Sequence, residues 1–523
     1  MKKVLSAVLS LSLFAFVSCA KSRGSLMKGS RKFEPRSGVY YSLFVRSFAD
    51  SDGDGVGDFN GILSKLDYLE ELGITGIWLL PIYASHSYHG YDVDDYYQTN
   101  PQYGTLKEFE RLCDECKRRS IAVILDIPLN HSSIHNQWFQ DSIDPKNPKH
   151  SWYRWAAPDA KDINLKGSAW GHKVWNLLGG NYYSGLYSSG MPDFNHDNPE
   201  VRAEFRKILA FWLSKGVSGF RFDAANHLYD AVKMPVSVKN CKERAIAFWS
   251  EMVDYVLSVK PSSYMVGEVW DSDGVRADYM RALPSTFHFD LGSKIIDVVK
   301  KSEASNNSIA VAAFNAYTLA AEENPDFIDA PFLTNHDQNR SALHFKNDPE
   351  SIKLAASLYL FLPGIPFVYY GEELGMNGAK PDEQIRSPFL WSKLSPNFQT
   401  SWMESKYNAK TSPMDEQNAD RNSILNYYRK AIQFRVKNEE WFKGVFYPEK
   451  TSNSAIVSWM FLLKNGKRLW CFFNVSENEQ VFKRPSGSED AMIIFSQKNG
   501  SALTNESLRL PPKSAMLFGN VYK

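Results

Sequence analysis

Cysteine is scarce in this chain, with five in 523 residues. That excludes a small disulfide-framed fold and leaves stability to burial and hydrogen bonding. Cys113 and Cys116 lie in the charged helical run "KEFERLCDECKRR", with no second pair nearby to complete a zinc site. They read as packed or surface helix residues. Neither charge sign is in excess, with 60 Lys and Arg against 59 Asp and Glu. A net charge of +1 argues against a nucleic-acid surface or an acidic partner. Long apolar runs are missing beyond the first 19 residues, so no later segment reads as a membrane span.

Those first residues, "MKKVLSAVLSLSLFAFVSC", have two lysines, an apolar run and small residues before Cys19. They read as a secretory signal peptide over 1–19, too short for an ordinary span. "FVSC" resembles a relaxed bacterial lipobox, with Phe16 where Leu is usual. On that reading Cys19 becomes the lipidated first residue, and 20–38 is a polar tether. The expectation is an exported monomer of the bacterial cell envelope, touching a membrane only through its lipid.

Aromatics are abundant at 14%, and flat rings suit both cores and sugar faces. From Val39 to about Tyr370, short apolar runs alternate with amphipathic stretches: "VYYSLF", "GIWLL", "IAVILDI", "VSGFRF", "SYMVGEV", "FHF", "APFLT" and "PFVYY". Eight such repeats predict a (β/α)8 TIM barrel over 39–131 and 197–438. The stretch 132–196, rich in Trp, Asn, Gly and Pro, is too long for a loop and predicts an inserted domain B after strand three. From 439 to 523 the pattern changes to short alternating strands with Asn-Gly and Ser-Gly turns, an antiparallel β-sandwich.

Barrel chemistry gathers at the C-terminal strand ends. Strand three ends in Asp126, Asn130 and His131. Strand four ends in "GFRFDAANH", carrying Arg221, Asp223 and His227; strand five ends in Glu268, and strand seven in His336 and Asp337. So many polar groups at one rim would leave charges unpaired without a ligand or a reaction. In a strand, Arg221 and Asp223 point the same way, so the arginine would hold that carboxylate ionised. Glu268, in less charge-compensated surroundings beside Asp223 and Asp337, would have a raised pKa suited to an acid/base. That division of labour fits retaining glycoside hydrolysis. Asp337 would hydrogen-bond sugar hydroxyls, assisted by His131 and His336.

A second constellation is "DSDGDGVGD", with Asp50, Asp52, Asp54 and Asp58 at alternate positions and Val56 offering a carbonyl. This is the ligand spacing of a calcium loop, although the twelfth position is Gly61 and not the Glu of an EF-hand.

"DIPLNH", "GFRFDAANH", "GEVW" and "FLTNHD", in this order, resemble the four signature segments of the α-amylase family, glycoside hydrolase family 13. "GITGIWLLPI", "YHGYDVDDYY" and "GIPFVYYGEELGM" agree, so the resemblance runs from about Val39 to Trp391. It implies Asp223 as nucleophile, Glu268 as acid/base and Asp337 as transition-state stabiliser, with Tyr91 stacked on the reacting sugar and His89 nearby. It also implies the inserted domain and the C-terminal sandwich. Similar aspartate loops bind Ca2+ in the oligo-1,6-glucosidase branch. A second calcium site, as in many α-amylases, would use Asn130, Asp193 and the His227 carbonyl. "MPDFN" resembles the "MPDLN" of a branch between oligo-1,6-glucosidases and neopullulanases, which contains lipoprotein α-amylases. Asp92 and Arg386 match a pair that closes the far end of the pocket in α-glucosidases, which would favour attack at the non-reducing end of short chains. If the pair is absent from the folded site, an open cleft and internal cleavage follow. The expected substrate is an α-1,4-linked maltooligosaccharide or starch. The alternatives are an exo-acting α-glucosidase or oligo-1,6-glucosidase, a glucosyltransferase, or a non-catalytic glucan-binding relative.

Overall fold

A computed structural model describes residues 33–161, 163–230, 240–451 and 453–520. The signal peptide, most of the tether and Cys19 lie outside the described residues. Eight short strands form one sheet: β1 (Tyr40–Leu43), β2 (Gly76–Leu79), β3 (Ala122–Ile127), β4 (Gly219–Phe222), β5 (Tyr264–Gly267), β6 (Ser285–Phe287), β7 (Ile328–Ala330) and β8 (Phe367–Tyr369). Their order is β7-β6-β5-β4-β3-β2-β1-β8, and every pairing is parallel. Between β7 and β8, Ile365 N–H donates to Asp329 O (2.8 Å) and Phe367 N–H to Pro331 O (2.9 Å). The ring is therefore nearly closed, and the fold is a TIM barrel.

Strands β1 to β5 are buried at every residue, because helices cover one face and the barrel's own side chains fill the other. Inside the barrel the Tyr40 ring lies 5.2 Å from both Tyr264 and Phe367. Gly219 opens β4 at φ +151°, and a Cβ there would sit 1.7 Å from the Tyr264 carbonyl oxygen. Only glycine lets β4 approach β5 so closely.

Two strands begin earlier than the sequence pattern suggests. "FHF" (287–289) contributes only its first residue to β6, since Phe289 already begins the next helix. "APFLT" (330–334) contributes only Ala330 to β7, because Pro331 has no N–H to extend the ladder.

After β3 the chain leaves the barrel and returns at the helix Pro199–Ser214. The excursion holds a three-stranded antiparallel sheet and the hairpin Ser168–Ala169/His172–Lys173. Ala156, Val174, Trp175 and Leu186 form its own small core. The C-terminal part is a five-stranded and a three-stranded antiparallel sheet. Trp470, Phe472, Leu508, Leu510, Met516 and Phe518 from both sheets share one core, so this part is a sandwich. Cys113, Cys116 and Cys471 are buried and form no disulfide, and burial pushes the Cys116 thiol up to about 12. Among the described residues no helix is long and apolar enough to cross a membrane.

Candidate active site

Strand register assembles the site. Arg221 on β4 lies opposite Asp126 on β3 and opposite Val266 on β5. Asp223 and Glu268 each stand two residues further along their strands, so all four polar side chains share the inner face. Arg221 is completely buried and gathers three carboxylates. Its Nη1 lies 2.7 Å from Asp126 Oδ1 and 2.5 Å from Asp223 Oδ1, and its Nη2 lies 2.8 Å from Glu268 Oε2. Glu268 is thus charge-compensated, contrary to expectation: the register that brings it beside Asp223 also brings it onto the same guanidinium.

One positive charge does not offset three buried negative ones, so a proton is retained within the group. Burial raises Glu268 to about 7, reinforced by Asp223 and Asp337 and opposed by Arg221 and by the Ala224 N–H. The like-charged neighbours act as expected, but desolvation is the larger cause. Immediately after Asp223 the chain turns through Ala224, a left-handed residue at φ 45°, ψ 47°. That conformation costs an alanine about 1 kcal/mol and aims two N–H groups at Glu268. Ala224 N–H donates to Glu268 Oε2 (2.9 Å) and Ala225 N–H to its carbonyl (2.8 Å).

Around this centre, the Tyr91 hydroxyl donates to Asp126 Oδ2 (2.9 Å). His336 Nε2 lies 2.5 Å from the Tyr91 hydroxyl and 3.2 Å from Asp337 Oδ2, so its Nε2–H tautomer donates toward both. Burial would raise Asp337, but His336, Arg386 and Arg221 hold it below the usual carboxylate value. His131 Nε2–H donates to the Tyr91 carbonyl (3.2 Å). His89 Nδ1 accepts from the Tyr91 N–H (3.1 Å), and burial lowers its pKa. His336 and Asp337 ride on the loop beyond Ala330 and not on β7 itself.

Asp92 and Arg386 form no ion pair. Asp92 accepts from the Ser85 hydroxyl (2.6 Å) and from Ser87, while Arg386 binds Asp337 (2.9 Å) and Asp382 (3.3 Å). Two contributors escaped the sequence pattern. Trp78 donates its Nε1–H to Asp126 Oδ2 (3.2 Å) and holds its ring 5.2 Å from Arg221. Tyr187 of the inserted segment places its ring 5.1 Å from His131. The first looks like any strand tryptophan and the second like any loop tyrosine, so only the fold distinguishes them.

The aspartate loop follows β1. Asp50, Asp52 and Asp58 bring carboxylate oxygens within 4.8 Å of one another, a group able to hold a metal ion. Asp54 stands outside it, accepting from the Val56 N–H (2.7 Å). At the expected second site, Asn130 Oδ1 is buried without a hydrogen-bond partner, but Asp193 already accepts from the Ser184 hydroxyl and from the Leu186 N–H (3.0 Å). His227 contributes its side chain to Asp230.

Residues 42–444 match the family described as "Alpha amylase, catalytic domain". The chain belongs to the α-amylase family. It is a glycoside hydrolase with the barrel, and the polar strand ends, that this membership carries. Alpha-amylase 3 of Dictyoglomus thermophilum is 42% identical over 467 residues, 88% of this chain and 89% of that protein. A 4-alpha-glucanotransferase of Thermotoga neapolitana is 32% identical, covering 85% of this chain and 97% of its own. The crystal structure of an alpha-amylase from H. orenii superposes with a TM-score of 0.84 at 36% identity, covering 93% of this chain and all of that one.

Proposed function

We propose that this α-amylase family member cleaves internal α-1,4 links of starch and maltooligosaccharides with retention of configuration. The observation that carries the reading is the three-carboxylate cluster on Arg221 at the C-terminal mouth of the barrel. Asp223 and Glu268 sit on neighbouring nitrogens of one guanidinium, a placement compatible with the close carboxyl pair that retaining enzymes use (about 5–5.5 Å). Asp223 attacks the anomeric carbon while Glu268 gives its proton to the departing glycosidic oxygen. Water then attacks the same carbon, returns a proton to Glu268 and releases Asp223. Asp337, kept anionic, binds sugar hydroxyls, and Tyr91 is fixed by Asp126 and His336 to face the sugar ring. Internal cleavage is favoured by the alpha-amylase relative at 42% identity. Asp92 and Arg386 both stand at the site, Asp92 3.9 Å from His89 and Arg386 2.9 Å from Asp337, without pairing with each other.

Transfer to a sugar acceptor is the second reading, favoured by the glucanotransferase relative. It uses the same covalent intermediate with a sugar hydroxyl in place of water. A product time course on maltoheptaose and on a maltooligosaccharide blocked at its non-reducing end tests the proposal. Cleavage of both, with turnover abolished in a normally folded Asp223→Asn variant, is expected. Glucose released only from free ends would overturn internal cleavage, and near-normal hydrolysis by Asp223→Asn would overturn the nucleophile.

The aspartate loop is assigned to Ca2+, a hard cation suited to an all-oxygen donor set with two buried carboxylates, Asp50 and Asp58. The loop is tied to the segment after β8: Asp50 N–H donates to Phe398 O (3.1 Å) and Ser401 N–H to Gly55 O (2.8 Å). A bound ion would therefore fasten the first barrel repeat to the last. The lipobox-like "FVSC" supports anchoring to the cell envelope through Cys19.

A further inference from the structure

The inserted segment ends one of its hairpins in an unusual way. Strands Ser168–Ala169 and His172–Lys173 are joined by only Trp170 and Gly171, with φ of 46° and 88°. A two-residue hairpin turn of this hand favours Asn, Asp or Gly at its first position. Here a tryptophan occupies that position, against its backbone preference. It is also 61% exposed, so core packing does not explain it. Its ring stacks on Tyr187 (5.3 Å between centroids, 28° between planes) and meets His227 edge-on at 5.4 Å. Tyr187 in turn packs on His131 and carries a buried hydroxyl with no hydrogen-bond partner. Asp223 and Glu268 are close enough to Tyr187 to push its pKa upward, after burial itself. A line of rings therefore runs from solvent to the reacting carboxylates.

The direction of that line follows from contacts. Glu268 is held by the N–H groups of Ala224 and Ala225, the turn that continues into His227. The Trp170 edge contact is with that same His227. The general acid and the tryptophan thus share one wall, and the acid must face the departing oxygen. Arg386 and His89 gather instead at Asp337 and at the Tyr91 backbone. We infer that Trp170, braced by Tyr187, is a stacking platform for the sugars on the leaving-group side of the scissile bond, and for an acceptor glucan in transfer.

This inference rests on the proposed glucan hydrolysis, and the test separates the two. Kinetics of the full chain and of Trp170→Ala and Trp170→Phe are compared on maltoheptaose and on α-glucosyl fluoride, whose leaving group has no sugar to stack. Losing a used aromatic face is expected to cost Trp170→Ala about tenfold in kcat/KM on maltoheptaose, mostly through KM. The loss on the fluoride is expected to be several-fold smaller, and Trp170→Phe should recover most of the difference. Equal losses on the two substrates, or none on maltoheptaose, would overturn the platform while leaving hydrolysis standing. Failure of the unaltered chain to turn over maltoheptaose would remove the functional reading and the platform with it.

Discussion

Arg221 is the residue on which the site's ionisation turns. It pairs with Asp223 through Nη1 and at the same time restrains the rise of Glu268, which burial brings to about 7. The acid must be protonated to act, so kcat/KM on maltoheptaose is expected to fall as pH rises through about 7. A pH–rate profile checks this; a plateau extending past pH 9 would detach the alkaline limb from Glu268. The pairing of Arg221 with Asp223 was legible in the sequence, because a two-residue spacing on a strand is a statement about one face. Its capture of Glu268 was not, since that depends on the offset between β4 and β5, which no local pattern encodes.

Among the elements, the turn after β8 shows how acids are also used for architecture. Glu372 opens the 3-10 turn Glu372–Leu374 and accepts from Tyr359 and Tyr428, both at 2.8 Å. Those tyrosines belong to the helices Pro349–Leu360 and Ile424–Lys437, so one buried carboxyl joins two helices to the barrel. Burial raises Glu372 to about 8 from an ordinary value of 4.5. The native state then keeps a proton that the unfolded chain releases, and stability declines as pH climbs between those values, by up to about 1.4 kcal/mol per unit. Glu372→Gln is expected to flatten that decline. Melting temperatures of both forms from pH 5 to 8 check it, and identical slopes would refute the role. The barrel strands themselves were largely readable from their apolar runs. β6 and β7 were displaced because a helix start and a proline compete with an apolar pattern that continues past the true ends.

At the scale of the whole molecule, the aspartate loop and the segment near Phe398 couple opposite ends of the barrel sequence. Chelation is therefore expected to lower the melting temperature of the full chain, and added Ca2+ to restore it. An unchanged transition in calorimetry with and without chelator would discard the metal. The sequence signalled a ligand spacing here, and the fold brings the carboxylates of Asp50, Asp52 and Asp58 within reach of one ion. The barrel and sandwich were visible as changes of hydrophobic period. The different partners of Asp92 and Arg386 were not, because side-chain partners are chosen after the backbone is placed.

The β1–β8 ladder has a consequence in time as well as in space. Tyr40 finds its partner Phe367 more than three hundred residues later in the chain. A polypeptide threaded through a translocation pore from its N-terminus emerges with β1 long before β8. Until then the sheet has two unpaired edges, each a template for the wrong strand. For a chain exported as proposed, the interval between the first and last strands clearing the membrane would be when it is most exposed to misassembly, and fastening the first repeat to the last would bring that interval to an end.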